Sequence, residues 1–381
     1  MSTPDVLVVG GGPAGLVTAI ECALRGLEVT VLERRAEPTD DAGLDKPCGE
    51  GLMPDGVERL EAIGVDLGEI GRPFVGIRYV DPVASDTPTV VDGRFPAGHG
   101  IGIRRTRLHR RLIARANAVG VTVRWGARVA EVESPADAVT VRLADGSGIT
   151  ARTLVAADGL RSPIRHQLGL AGRDARWRRF GVRRHVAIAP WSDRVEVHWS
   201  DVGEAYVTPV GSREVGIAIL WSGEKAGFDT LIDRFPLLAE HLDRAEPTSR
   251  DRGIGPLRQR VRDVVRGRVA LVGDASGYVD AITGEGLTVA FHQAQALATA
   301  LAEGKLASYR RAHRTIGRVP WALTELLLAI ERRPALRRRV LRALANDPTL
   351  FEHFLAVHCR EASPWSLAPT SPRMLWRLAT A

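Results

Sequence analysis

The sequence predicts an α/β protein: a parallel nucleotide-binding sheet assembled from discontinuous segments, an inserted antiparallel sheet and a helical C-terminus. Three observations carry this reading. Residues 6–33 run strand, glycine turn, helix, strand. Two later apolar runs, 153–157 and 269–272, end in Asp158-Gly159 and Gly273-Asp274. Between them lie stretches of alternating apolar and polar residues, the period of half-buried strands.

The first element is the most specific. Val6-Leu7-Val8-Val9 leads into Gly10-Gly11-Gly12-Pro13-Ala14-Gly15, a helix is expected over 16–25, and a second strand over 28–32 closes on Glu33-Arg34. This is a Rossmann-like βαβ unit with G-x-G-x-x-G in the required place. Gly10 permits the tight turn, Gly12 lets the backbone approach a pyrophosphate, and Gly15 lets the helix pack close to the strand. The helix N-terminus offers free N–H groups at the positive end of a dipole. Glu33 is placed to accept hydrogen bonds from an adenosine ribose.

At 381 residues the chain exceeds the size at which single cores stop growing, so two interlocked domains or one large domain with an insertion are expected. Cys22, Cys48 and Cys359 show no C-x-x-C and no paired Cys/His spacing, which argues against a disulfide framework or a structural zinc and for a reducing, cytoplasmic setting. The apolar start lacks a basic leader and a cleavage site, and no run approaches the length of a membrane span. The formal charge of +7 raises nucleic acid or an anionic surface as partners. Arginine is scattered, tyrosines do not interleave with basic clusters, and no nucleic-acid motif occurs, so nucleic-acid binding is not expected. The ten histidines have no ligand spacing, and no metal is expected.

Further along, a loop holds Lys46-Pro47-Cys48-Gly49-Glu50-Gly51, and Asp55 is expected to cap a helix over 56–63. Strands are expected over 76–80 and 89–91, then a helix over 106–118 following Arg105. Residues 121–143 read as a small antiparallel meander. A second block of strands over 182–188, 194–199, 204–210 and 214–220 forms the expected substrate domain. Gly284-Glu285-Gly286-Leu287 opens a long helix to about 302. The remainder is expected to be helical, punctuated at Pro320 and Pro334, with a basic amphipathic pair over 321–330 and 337–344 expected as a helical cap packed on the core, peripheral membrane contact being the alternative. The expected domains are therefore 1–73, 101–175 and 266–318 for the nucleotide, 74–100 and 176–265 for the substrate, and 319–381 as the helical segment.

Taken together, the N-terminal glycine turn, Asp158-Gly159 and Gly273-Asp274 with its Gly-x-Gly helix start resemble the FAD-dependent group of para-hydroxybenzoate hydroxylase, geranylgeranyl reductases and flavin halogenases. The resemblance implies that the glycine turn and Glu33 hold the AMP half of FAD, that Arg105 reaches the cofactor, and that the backbone of Val129 meets the adenine. It implies that Asp274 binds the ribityl chain, that the N–H groups at 284–287 face the flavin pyrimidine, and that Asp158-Gly159 supports the pyrophosphate. Each aspartate has a competing role as a helix cap. Lys46-Pro47-Cys48-Gly49 is similar to the geranylgeranyl reductases, where the cysteine lies near the flavin; Lys46 and the flexible glycines are expected either to lower the Cys48 pKa or to place it over the flavin, making Cys48 the candidate catalytic residue, with a buried packing cysteine as the alternative. The halogenase lysine and Trp-x-Trp-x-Ile-Pro motif are absent. His185, His198 and His292 lie in regions that can face a substrate, with structural roles as the alternative.

The function expected from this resemblance is an FAD-dependent monooxygenase drawing electrons from NADH or NADPH and hydroxylating or epoxidising a hydrophobic small molecule. The alternatives are a geranylgeranyl reductase-like enzyme that reduces a carbon–carbon double bond, and a non-catalytic flavin-binding redox sensor. No second nucleotide unit is evident, so a nicotinamide would dock transiently.

Overall fold

Strands Val6–Val9, Val29–Glu33, Thr122–Trp125, Thr153–Ala156 and Val269–Leu271 pair in parallel, in the order 269, 153, 6, 29, 122, with Val265–Arg266 antiparallel at the edge. Val6 and Val8 join one buried cluster and Leu7 and Val9 another. Burial on both faces is why this strand reads as continuous apolar sequence instead of alternating. Helices Pro13–Ala23, Arg105–Ala118 and Gly286–Ala302 pack on the first face, and the three-stranded meander Val129–Glu133, Val139–Leu143, Gly148–Ala151 covers the second. This computed structural model describes residues 3–39, 43–82, 88–134, 137–173 and 177–367; the expected 175/176 boundary and residues 368–381 lie outside them.

The inserted sheet runs Glu246–Pro247, Arg179–Ala187, Glu214–Ser222, Gly203–Gly211, Val195–Trp199, Gly76–Asp81, Thr89–Arg94, with Arg252–Ile254 also on the Arg179 strand. It is antiparallel except where Val195–Trp199 meets Gly76–Asp81. Helices Phe228–Ile232 and Pro236–Leu242 cover one side, and the C-terminal helices pack Leu328, Leu341, Phe351 and Leu355 on the other. A small sheet of Gly51–Leu52, Gly100–Gly102 and Arg72–Phe74 joins the two halves. Its strands of two and three residues are too short to show a period.

Three local expectations need correction. The meander does not include 121–124: Thr122–Trp125 pairs in parallel with Val29–Glu33 at the edge of the nucleotide sheet, and the third antiparallel strand is Gly148–Ala151. The helix after the Lys46 loop begins at Pro54, with Met53 as its cap residue; Asp55 lies in the first turn and pairs with His292. Pro320 does not end a helix but sits inside Tyr309–Glu331, which runs across the expected boundary at 319. Proline removes one N–H and leaves the carbonyl four residues back without its helical donor. Arg360 Nη2 donates to that carbonyl, Ile316 O, at 3.3 Å, so the helix continues.

Candidate active site

Parallel pairing of 6–9 with 29–33 and 153–156, and of 153–156 with 269–271, brings the carboxyl ends of four strands to one edge. The chain leaves that edge through Gly10, Glu33, Ala157-Asp158-Gly159 and Gly273-Asp274. Such an edge is where open α/β sheets bind ligands. The contacts are tight. A Cβ on Gly15 would lie 1.9 Å from Gly10 O, one on Gly10 (φ +112°) 2.3 Å from Ala157 O, and one on Gly273 2.6 Å from the Ala14 Cβ. Gly12 differs: a Cβ there would point into space bounded by Lys46 Nζ at 3.9 Å and Arg105 Nη2 at 4.0 Å. Helix Pro13–Ala23 has no side-chain cap, so its first N–H groups open onto the same space.

Two cations therefore converge on a helix N-terminus. Burial, and then the neighbouring Arg105 guanidinium, pushes the Lys46 ammonium below its ordinary value, and burial does the same to Arg105. Arg105 Nη1 is buried with no hydrogen-bond partner among the described residues. A buried guanidinium with an unbonded Nη1 and a half-buried ammonium beside free N–H groups fit a diphosphate. The groove also takes in Asp274, whose carboxyl is pushed up by burial and pulled back by Lys46, Arg105 and Arg165, and Gly159, whose added Cβ would lie 3.6 Å from Lys46 Nζ.

Supports for this groove come from residues that the sequence reading passed over. His109, one helical turn beyond Arg105, holds the glycine turn: its Nδ1 accepts Leu44 N–H at 3.1 Å, so Nε2 donates to Gly11 O at 2.7 Å. Burial, then Arg105, lowers its pKa to about 4, keeping it neutral. The i, i+4 spacing from Arg105 was the available signal. Arg165 is fully buried and donates to Leu160 O, Gln259 Oε1, Asp274 O and Ala275 O, tying the Asp158 and Asp274 turns together. Gln293 Oε1 accepts Gly273 N–H at 2.9 Å.

Other site residues are placed as follows. Glu33 is buried and accepts Gly11 N–H at 2.7 Å and Arg35 N–H at 3.1 Å, so it braces the turn. Arg34 is exposed and stands apart from the groove. Val129 starts the meander beside Ala127, whose N–H donates to Glu33 O at 2.9 Å. The Asp158 carboxylate accepts from Ser162 Oγ at 2.6 Å and Ile164 N–H at 3.1 Å, so its side chain is a cap and only its neighbour Gly159 borders Lys46. Gly284 (φ +68°), Gly286 and Leu287 open the Gly286–Ala302 helix; Tyr278 packs on Gly286, and Met53 on Gly284. Gly49 is exposed, its carbonyl accepting Thr208 Oγ1 at 2.8 Å. Cys48 is half-buried near Arg105, Glu50 and Tyr278. Its expected activation by Lys46 is corrected: burial pushes the thiol above its ordinary value, and Arg105 offsets only part. His185, His198 and His292 are each bound to a carboxylate, Glu50, Glu196 and Asp55.

The fold and groove define a dinucleotide-binding enzyme of the flavoprotein class. The family model described as FAD binding domain matches residues 3–308, and the chain belongs to that family: it is an FAD-dependent oxidoreductase. Among curated relatives, menaquinone reductase of Mycobacterium tuberculosis is 29% identical over 310 residues, covering 74% of this chain and 72% of the relative. Digeranylgeranylglycerophospholipid reductase 2 of Methanosphaera stadtmanae is 26% identical, covering 76% and 75%. Rifampicin monooxygenase of Streptomyces venezuelae is 33% identical but over 44% of this chain and 34% of the relative. Among solved structures, a flavoprotein/dehydrogenase from Cytophaga hutchinsonii shares the fold with a TM-score of 0.79 at 19% identity, covering 94% of this chain and 93% of that one.

Proposed function

We propose that the protein reduces a carbon–carbon double bond of a hydrophobic small molecule, using FAD charged by NADH or NADPH. The carrying observation is the place of the Cys48 thiol beside the cofactor groove, its Sγ reached by the Glu50 N–H at 3.4 Å and near Arg105, with burial pushing the thiol above its ordinary value. Addition of hydrogen across a double bond needs a hydride on one carbon and a proton on the other. FAD held in the groove would, once reduced, supply the hydride. Cys48 Sγ–H supplies the proton, its electron pair staying on sulfur. The resulting thiolate is stabilised by the nearby Arg105 charge and by the Glu50 N–H, which reaches Sγ at 3.4 Å, until water returns a proton. Arg105, Lys46 and the N–H groups after Gly12 would hold the diphosphate, and Asp274 the ribityl hydroxyls.

The cofactor loops and the inserted sheet share one apolar cluster. Met53 and Ile282 from the cofactor loops pack with Val195, Val197 and Tyr206 of the inserted sheet, and Tyr206 donates to Ile282 O at 2.6 Å. The reductase relatives align over about three quarters of both chains, whereas the monooxygenase likeness is confined to less than half of this one. That difference favours reduction over the oxygenation expected from motifs alone. The test is turnover of an isoprenoid alkene with NADPH, with and without air, in isotopic oxygen. Saturated product forming anaerobically supports the proposal; product carrying one labelled oxygen, and none without air, returns the assignment to a monooxygenase.

A further inference from the structure

Glu50 has φ +61°, and with Arg360 it is one of two non-glycine residues in the left-handed region among the described residues. A residue other than glycine, asparagine or aspartate stays there only where its surroundings over-determine it. Here four contacts do so. Its carbonyl accepts Ile103 N–H at 2.8 Å, its N–H reaches Cys48 Sγ at 3.4 Å, its Oε1 accepts Arg105 N–H at 2.7 Å, and its Oε2 meets His185 Nε2. Helix Arg105–Ala118 has no cap from its own Arg104. The Glu50 carboxylate, from 55 residues away, satisfies its first N–H instead.

The far side of the carboxylate is set by the inserted sheet. Arg183 Nη1 lies 2.8 Å from His185 Nδ1 and can only donate, so Nδ1 accepts and the ring proton sits on Nε2, directed at Glu50. Arg183 is in turn paired with Asp45, and Ser249 Oγ is 2.8 Å from the same Nδ1. Gly216, which faces His185 in the strand register, leaves the room: a Cβ there would come within 3.2 Å of Glu50 Oε2. We propose that Glu50 is a positioning residue, fixing Arg105 and Cys48 at once, and that His185 and Arg183 set the carboxylate with which it does so. The inference rests on the reading of the Arg105 groove as the cofactor site.

The experiment is titration of FAD into apoprotein, followed by flavin fluorescence, for Glu50→Gly, Arg105→Ala and the double variant. Glycine keeps the backbone conformation and the N–H to Cys48 and removes only the carboxylate. Glu50→Gly should weaken binding about tenfold, Arg105→Ala at least as much, and the double variant no more than Arg105→Ala, because the first change acts through the second. Unchanged binding by Glu50→Gly while Arg105→Ala is impaired overturns the inference and leaves the cofactor site standing. Additive losses also overturn it, and an unaffected Arg105→Ala removes the site on which it rests. Should Glu50→Gly fail to fold, Gly216→Ala, which only crowds the carboxylate, should still weaken FAD binding severalfold, and wild-type affinity there contradicts the proposal.

Discussion

The two sheets solve opposite problems. The central strands of the parallel sheet, 6–9, 153–156 and 269–271, are buried on both faces, and their chemistry lies beyond their ends, where glycines let backbone approach backbone. The antiparallel sheet instead buries charge within its strands: Arg179, Arg183, His185, Glu196, His198 and Glu204 are all buried. Arg179 alone faces Glu204, Asp280 and Glu331. A groove made by backbone tolerates almost no added atom, whereas a sheet that buries titratable groups is sensitive to pH. The difference teaches where each half should fail.

The largest effect is expected at the glycine turn. Gly15→Val places side-chain atoms where Gly10 O now lies and should cost about 3 kcal/mol or more, with loss of bound FAD, measured by urea denaturation and flavin content. A stable, FAD-loaded variant would break the contrast at its stronger side.

Next comes Cys48→Ala, which should keep FAD and fold yet lower turnover about 100-fold. Because burial raises the thiol above its ordinary value, the wild-type rate should hold through neutral pH and fall only on the alkaline side, as the proton is lost. Equal rates for variant and wild type would make the cysteine a packing group.

A smaller effect tests the charged sheet. Burial raises the Glu204 carboxyl from 4.5 to about 8 despite Arg179. A folded pKa above the unfolded one gives stability that is complete at low pH and is lost as pH rises from 4.5 towards 8. Urea midpoints should therefore fall more between pH 5 and 8 for wild type than for Glu204→Gln, and parallel slopes would remove the charge argument. Smallest is Arg360→Ala, which takes the donor from Ile316 O opposite Pro320 and should cost about 1 kcal/mol by the same denaturation.

The same contrast explains what was legible in the sequence. Gly10, Gly12, Gly15, Gly273 and Asp274 could be read because turn chemistry is local, whereas the order in which the strands pair was not written in any run. Glu50 and His185 are 135 residues apart, and nothing on either side of Glu50 announces a histidine partner. Asp158 was legible in both directions, since its motif pointed to the pyrophosphate and Ser162-Pro163 opening a helix offered its side chain a capping role. Pro320 misled because the arginine that repairs its helix comes 40 positions later, so no local rule contains it.

The most direct test of the groove is a crystal structure of the FAD-loaded protein. The diphosphate should lie between the N–H groups following Gly12 and the Arg105 guanidinium, with Nη1 now bonded and Lys46 alongside. A diphosphate bound elsewhere, with Arg105 Nη1 still without a partner, would contradict the account.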